Sequence, residues 1–323
     1  MSDPTAAPQG FPTDSENLQT ILDLARWAAS RFDEYELFLG HGTQSYLVEA
    51  AWLVLETLRL PIDLEQSWWS ARVTESERAA VVENIRLRCE TRKPTAYLVN
   101  RIWFAGLPFY VDERVLIPRS PFAELIMQRF EAWMPAGSVR SALDVGTGSG
   151  CMAIALARYF EDASITASDI DPGALAVAAR NVNDYQLGER IELIQSDLLE
   201  GLGDARFDLI ISNPPYVAQE EAEDLPAEFH HEPAHALFAP ERGLALVERL
   251  LEQAPDHLNE HGWLFVEVGN SAHWLEEQLP GVPVEWVNLE NGGEGIFAID
   301  AASLRSWRAT RRPGDHADGQ DAG

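Results

Sequence analysis

Ala142-Leu143-Asp144-Val145-Gly146-Thr147-Gly148-Ser149-Gly150 runs straight into Cys151-Met152-Ala153-Ile154-Ala155-Leu156-Ala157. The apolar start reads as a buried strand, the glycines as a tight turn, and the small apolar residues as a helix. Glycines at 146, 148 and 150 let backbone approach a ligand closely. The start of the helix offers unpaired N–H groups to a negative or polar moiety. The spacing is not the G-x-G-x-x-G of dinucleotide sites, and there is no P-loop lysine. Asp144 would repel a pyrophosphate. A ligand carrying both carboxylate and ammonium fits better, with amide donors for one and acceptors for the other.

Downstream, strand and helix patterns alternate, which predicts a doubly wound α/β parallel sheet. Strands are expected at 141–145, 164–168, 190–194, 207–212, 262–268, 284–289 and 295–299. The last two have no helix between them, so they read as a closing hairpin whose final strand lies antiparallel. The second strand ends Ser168-Asp169-Ile170-Asp171-Pro172. An acid at that position commonly holds ribose hydroxyls. Asp171 precedes a proline that opens a helix, which makes it an N-cap and leaves Asp169 as the ribose ligand. Asp197, after the third strand, reads either as an acceptor for an adenine amino group or as another cap. Amino acid, ribose and adenine together describe S-adenosylmethionine.

The fourth strand, 207–212, ends in Ser212-Asn213-Pro214-Pro215-Tyr216. Each proline fixes its own φ and pushes the preceding residue into an extended conformation, so this is a stiff arm. Neither proline donates an N–H. The arm therefore presents acceptors, the Asn213 side chain and the Asn213 and Pro214 carbonyls, beside the flat ring of Tyr216. A planar group bearing –NH2 would suit it. The alternative is a proline-rich turn that only ends a strand.

The chain has 323 residues and a net charge of −28, with Lys93 its single lysine. That balance argues against a protein whose main work is gripping a nucleic-acid backbone. Cys89 and Cys151 are isolated, so neither a disulfide framework nor a zinc pattern is expected. No apolar run is long enough to cross a membrane, and a soluble cytoplasmic protein is expected. Residues 1–14 read as a disordered tail. Thr13 and Glu16 have capping-box spacing ahead of a first helix. Thr43 is the expected cap of a second helix, and Thr74 with Glu77 that of a third reaching about Arg92. His41, between the first two, reads as structural.

Tyr97 to Pro118 reads as a β-hairpin including Tyr97-Leu98-Val99, and a helix is expected from Pro121 to about Trp133. Residues 81–120 are locally basic (Arg86, Arg88, Arg92, Lys93, Arg101, Arg114, Arg119). A solvated, ion-paired face is the ordinary account; a weak contact patch for RNA or an acidic partner is the other. Residues 217–236 carry six acids and no Lys or Arg. They read as a solvated loop or as a lid that attracts a basic substrate. His230, His231 and His235 among them match no standard metal spacing.

Asp144-Val-Gly-Thr-Gly-Ser-Gly150, Asp169, Asp197 and Asn213-Pro-Pro-Tyr216 resemble the class I (Rossmann-like) methyltransferases that modify the side-chain amide nitrogen (N5) of glutamine in proteins. Two paralogues share that core. One acts on peptide-chain release factors and typically reads Pro-Arg-Pro-(Asp/Glu)-Thr-Glu after the hairpin. The other acts on the large-subunit ribosomal protein that is third by convention. Ile117-Pro118-Arg119-Ser120-Pro121, Gly40-His41-Gly42-Thr43, Phe104-Ala105-Gly106-Leu107 and His230-His231-Glu232-Pro233 resemble the second.

The resemblance implies S-adenosylmethionine contacts from Asp144, Gly146, Thr147, Gly148, Gly150, Asp169, Asp197 and Asn213. Asn213, Pro214, Pro215 and Tyr216 would hold the glutamine, with Asn213, Pro214 and Tyr216 catalytic and no metal. It divides the chain into a tail (1–14), a helical substrate-recognition domain (15–95), a β-hairpin linker (96–118), a methyltransferase domain (119–300) and a second tail (301–323). The partner implied is a ribosomal protein or an assembling ribosome, not DNA or a membrane. The rivals are the release-factor enzyme, an adenine-N6 DNA methyltransferase with a similar Asn/Asp-Pro-Pro-Tyr, and a ribosome-assembly factor that binds cofactor without turnover.

Overall fold

A computed structural model describes residues 11–12, 14–240 and 243–311. Thr13 of the expected capping box, most of the 1–14 tail expected to be disordered, and positions 312–323 of the second tail lie outside these residues. The first helix, α1 (Ile21–Glu34), is capped by Thr20, whose hydroxyl accepts from the Asp23 N–H while Asp23 returns a bond to the Thr20 N–H. It therefore starts later than expected. The cap of α2 (Tyr46–Thr57) is Ser45, not Thr43. For α3 (Glu75–Thr91), the Thr74–Glu77 box forms as read. Leu24, Phe32, Leu53, Val54 and Ile85 bury together in one apolar cluster of this helical region.

Tyr97-Leu98-Val99 is not a strand. It belongs to a short helix, α4 (Thr95–Val99), which buries Thr95, Ala96 and Tyr97. Pro94 is compatible with a helix start, and five residues are too few for periodicity to show. The hairpin is shorter than read: β1 (Ile102–Phe104) pairs with β2 (Leu107–Phe109). Ala105 and Gly106 both have positive φ, the geometry of a two-residue primed turn. The hairpin packs against the α/β region. Tyr185 donates to the Pro108 carbonyl at 2.8 Å, and the Asn181 side chain bonds both backbone groups of Tyr110.

The helix expected to reach Trp133 stops early, as α5 (Phe122–Met127), because Arg129 and Phe130 take positive φ. The strands are β3 (Ser141–Val145), β4 (Ser164–Asp169), β5 (Ile191–Gln195), β6 (Phe207–Ser212), a short pair β7 (Val217–Ala218) and β8 (Phe238–Ala239), β9 (Leu258–Glu267), β10 (Glu285–Trp286) and β11 (Ile296–Asp300). Among the described residues a seven-stranded sheet runs β10-β11-β9-β6-β3-β4-β5. β11 is antiparallel to both neighbours, β9 and β10, as the closing-hairpin reading requires. Of the run 284–289 only Glu285–Trp286 is strand.

Helices α6 (Cys151–Tyr159) and α7 (Pro172–Asp184) follow β3 and β4; α8 (Ala234–Leu237), α9 (Ala245–His257) and α10 (Ala272–Gln278) come later. The segment after 300, read as a tail, is instead helix α11 (Ala301–Thr310) with Ala301, Leu304 and Trp307 buried on the sheet's core. No helix among the described residues is long and apolar enough to cross a membrane.

The order of strands fixes where a ligand goes. The chain builds outward from β3 through β4 to β5, then restarts at β6 on the other side. The carboxyl ends of β3 and β6 thus flank the switch point, where such sheets bind ligands.

Candidate active site

A cavity of about 260 Å³ sits at that switch point. Its wall includes Gly146 and Gly148 after β3, Asp169 at the end of β4, Asp197 after β5, and Ser212 to Pro215 after β6. Gly146 and Gly148 have φ of +74° and +54°, and a Cβ added at either would meet nothing within 4 Å. The space such a side chain would fill is the cavity, so the glycines form a bare backbone cradle.

Asp169 holds this cradle in shape. One carboxylate oxygen accepts from the Gly148 N–H at 2.8 Å, the other from the Asp171 N–H at 3.0 Å. Burial pushes its pKa up, opposed by those two bonds. Asp171 caps α7 by accepting from the Gly173 N–H, and Pro172 follows at the first helical position. Asp197 is paired with Arg249, which bridges to Glu200 as well. Asn213 is half-buried on the wall, and among the described residues its side-chain amide has no partner. The loop after β6 folds back over the cavity, adding His235 and Ala236 to its lining.

Four expected site residues lie off the wall. Asp144 is fully buried beneath the loop, where it accepts from the Thr147 hydroxyl at 2.6 Å and the Ala153 N–H at 3.1 Å. Its other oxygen has no partner among the described residues, and burial raises its pKa to about 7. Thr147 points down to Asp144 rather than into the cavity. Gly150 is needed for packing: a Cβ there would lie 3.2 Å from the Ala178 Cβ on α7. Tyr216 turns from the cavity and donates its hydroxyl to Glu267 at 3.0 Å, while Ser271 holds its carbonyl. A Cβ at Gly269 would strike the Tyr216 ring at 2.6 Å, so glycine there lets the ring lie flat on backbone.

Two buried carboxylates that sequence reasoning gave no role hold the site together. Glu267 ends β9; it accepts from Tyr216 and from Ser120, whose hydroxyl also accepts the Phe122 N–H. Burial raises its pKa despite those bonds. The available signal was the one that singled out Asp169 and Asn213: a polar residue where a buried strand ends. Glu232 accepts from the His41 Nε2 and Arg119 at 2.8 Å each, and from the Ile117 N–H at 2.9 Å. Burial works to raise its carboxyl, but the Arg119 charge and these bonds outweigh it and hold it below the usual range. Glu228 is also buried, accepting from the Phe38 N–H and facing Arg88 and Arg92. Two of the six acids in 217–236 are thus internal tethers, which corrects the reading of that stretch as a solvated loop or an attracting lid throughout.

The basic stretch is paired as well. Arg86 meets Glu83 and Glu90, Arg88 meets Glu49 and Glu228, Lys93 meets Glu113, Arg101 meets Glu56, and Arg114 meets Asp112. Arg92 and Arg119 face Glu228 and Glu232.

Residues 123–239 match the model of the methyltransferase small domain. The chain is 42% identical to the ribosomal protein uL3 glutamine methyltransferase of Francisella tularensis over 90% of this chain and 93% of that one. It is 44% identical to the protein of the same name from Bradyrhizobium diazoefficiens, over 93% and 96% respectively. The fold, the cradle and these relatives make it an enzyme that uses S-adenosylmethionine. Alignment this close over nearly the full length places the chain in the family of ribosomal protein uL3 glutamine methyltransferases.

Proposed function

We propose that this protein transfers a methyl group from S-adenosylmethionine to the side-chain amide nitrogen of a glutamine in ribosomal protein uL3. The observation that carries it is Asn213. It stands at the carboxyl end of β6, on the same wall as the glycine cradle, with an amide nothing in the described fold engages. A residue whose work was to cap the loop would have a partner there.

Gly146 and Gly148 offer backbone to the methionyl part of the cofactor, Asp169 faces its ribose, and Asp197 its adenine amino group. Bound there, the cofactor supplies an electrophilic methyl on a sulfonium. The amide nitrogen is a poor nucleophile because its lone pair is shared with the carbonyl. The Asn213 side-chain oxygen and the Pro214 carbonyl accept its two N–H bonds, and the two prolines keep both acceptors from swinging. Tyr216, fixed by Glu267 and by Ser271, braces the arm from outside the cavity. Holding the nitrogen in line with the methyl supplies most of the rate, and acceptor dipoles stabilise positive charge developing on nitrogen. No strong base is required, since the product nitrogen is very acidic.

Ion pairing accounts for the basic residues of 81–120 without RNA, and the charge of −28 disfavours DNA. The reading places the enzyme in the cytoplasm with its ribosomal substrate. The test is labelled-methyl transfer into undermethylated ribosomal proteins and release factors, with mass spectrometry of the modified peptide. Label in a uL3 glutamine is expected. Label only in a release factor, or in DNA supplied alone, would overturn the assignment.

A further inference from the structure

A second cleft, of about 660 Å³, lies between the 39–44 loop and the 291–293 loop, with Arg119 and Met127 in its walls. Its size falls within the roughly 300–1,000 Å³ of ligand sites. Much of the wall is bare backbone. Gly42, Gly292 and Gly293 all have positive φ; a Cβ at Gly292 would meet nothing within 4 Å and one at Gly42 only Ile102 at 3.9 Å, whereas one at Gly293 would strike Pro121 at 2.9 Å. The far loop is pinned by Glu124, which accepts from the Glu290 and Asn291 N–H groups and the Asn291 side chain.

Arg119 is half engaged. Its Nη1 donates to Glu232 and to the Ile117 carbonyl, while among the described residues nothing accepts from Nε or Nη2. Its side chain is 24% exposed. Met127 is 43% exposed, and Leu47, at the start of α2 three residues beyond Gln44, is 56% exposed. Ser120, next in sequence to Arg119, bonds Glu267, which in turn holds Tyr216 of the arm. The cleft is therefore joined to the support of the transfer site.

We propose that this cleft holds the extended main chain of the protein substrate beside the methylated glutamine, with Nε and Nη2 of Arg119 donating to one of its backbone carbonyls. The proposal rests on the protein-glutamine reading above. An extended chain presents carbonyls at regular spacing, and glycine walls let it come close; Met127 offers apolar contact for a side chain. A polyanion is a poorer occupant, because Arg119 already answers Glu232 and the chain carries −28.

Wild-type transfer to purified uL3 decides the protein-glutamine reading by itself. Given transfer, kcat and KM for uL3 are compared in Arg119→Met and Met127→Arg, with S-adenosylmethionine affinity measured by calorimetry. Both variants should raise KM about tenfold or more; in Met127→Arg, kcat should stay within about threefold with cofactor affinity unchanged. Arg119→Lys, a point charge without the fork, should recover only part of the loss. Arg119→Met disturbs the Glu232 pair and could unfold, so Met127→Arg, which lies outside that network, carries the decision. An unchanged KM in Met127→Arg overturns the proposal. So does a joint fall in its kcat and cofactor affinity, which would mark general damage.

Discussion

Asp169 faces the cavity while holding two backbone N–H groups, so its loss acts on both ligand and loop. Hydrogen bonds to a charged acceptor contribute about 1.5–3 kcal/mol each. Asp169→Ala is expected to weaken S-adenosylmethionine by about tenfold or more, with some loss of stability. Asp171→Ala removes only a cap and should cost about 1 kcal/mol of stability with cofactor affinity nearly intact. Calorimetric titration and thermal melts separate the two; equal affinities would end the ribose assignment. Asn213→Ala is expected to reduce transfer about 100-fold or more while cofactor affinity stays close to wild type. Normal turnover of that variant on uL3 would remove the arm from the mechanism.

Asp144 gives a pH prediction. Its folded pKa, about 7, lies above the ordinary 3.8 because burial penalises the carboxylate. A raised folded pKa contributes stability below the unfolded value and loses it as pH rises through the folded one, here a loss of up to ~4 kcal/mol. Asp144→Asn, which cannot charge, should therefore gain on wild type as pH rises from about 4 to about 7, and keep that gain above it, when both cofactor-free proteins are melted. A gap that stays flat would mean Asp144 does not change protonation over that range.

At the scale of elements, the loop after Tyr216 links three regions. Glu228 reaches Arg88 on α3, Glu232 reaches His41 and Arg119, and His235 reaches the cavity and Asp171 at 3.4 Å. Removing one partner of a buried pair strands the other charge, and costs about 3–5 kcal/mol. Glu232→Ala is expected to lower stability by about that amount and to speed amide hydrogen exchange in residues 219–237 before the sheet opens. Uniform exchange, with no local excess in that loop, would mean the tether is not what holds it.

These links were the least legible part of the sequence. Strands β3 and β6 stand out because they are buried on both faces and run into glycine and proline, and β4 because it ends in an acid. The motifs at their carboxyl edge follow from that. Glu232 and His41 are 191 positions apart, and nothing in either neighbourhood marks the pairing. A run of acids looks solvated until its cations are found on other helices. The helix α11 was hidden by Arg305 and Arg308, although Ala301, Leu304 and Trp307 sit at helical spacing. The turning of Asp144, Thr147 and Tyr216 from the cavity is a matter of rotamers and loop path, which spacing does not encode.

For the whole molecule, a net charge of −28 opposes compaction by self-repulsion. Salt screens it, with a Debye length of about 10 Å at 0.1 M and about 3 Å at 1 M. The free enzyme should melt higher as sodium chloride is raised over that range. Ribosomal proteins are basic, so encounter with uL3 is steered by the same charge and should weaken over the same range. The expected signature is a rise in KM for uL3 with salt while Tm increases. Cofactor affinity should change little, since the cavity wall balances two carboxylates, Asp169 and Asp197, with two arginines, Arg114 and Arg249. Melting curves, uL3 kinetics and cofactor titrations in one salt series test all three. If KM for uL3 stays flat while Tm climbs, the acidic surface serves the enzyme's own solubility and takes no part in finding its substrate.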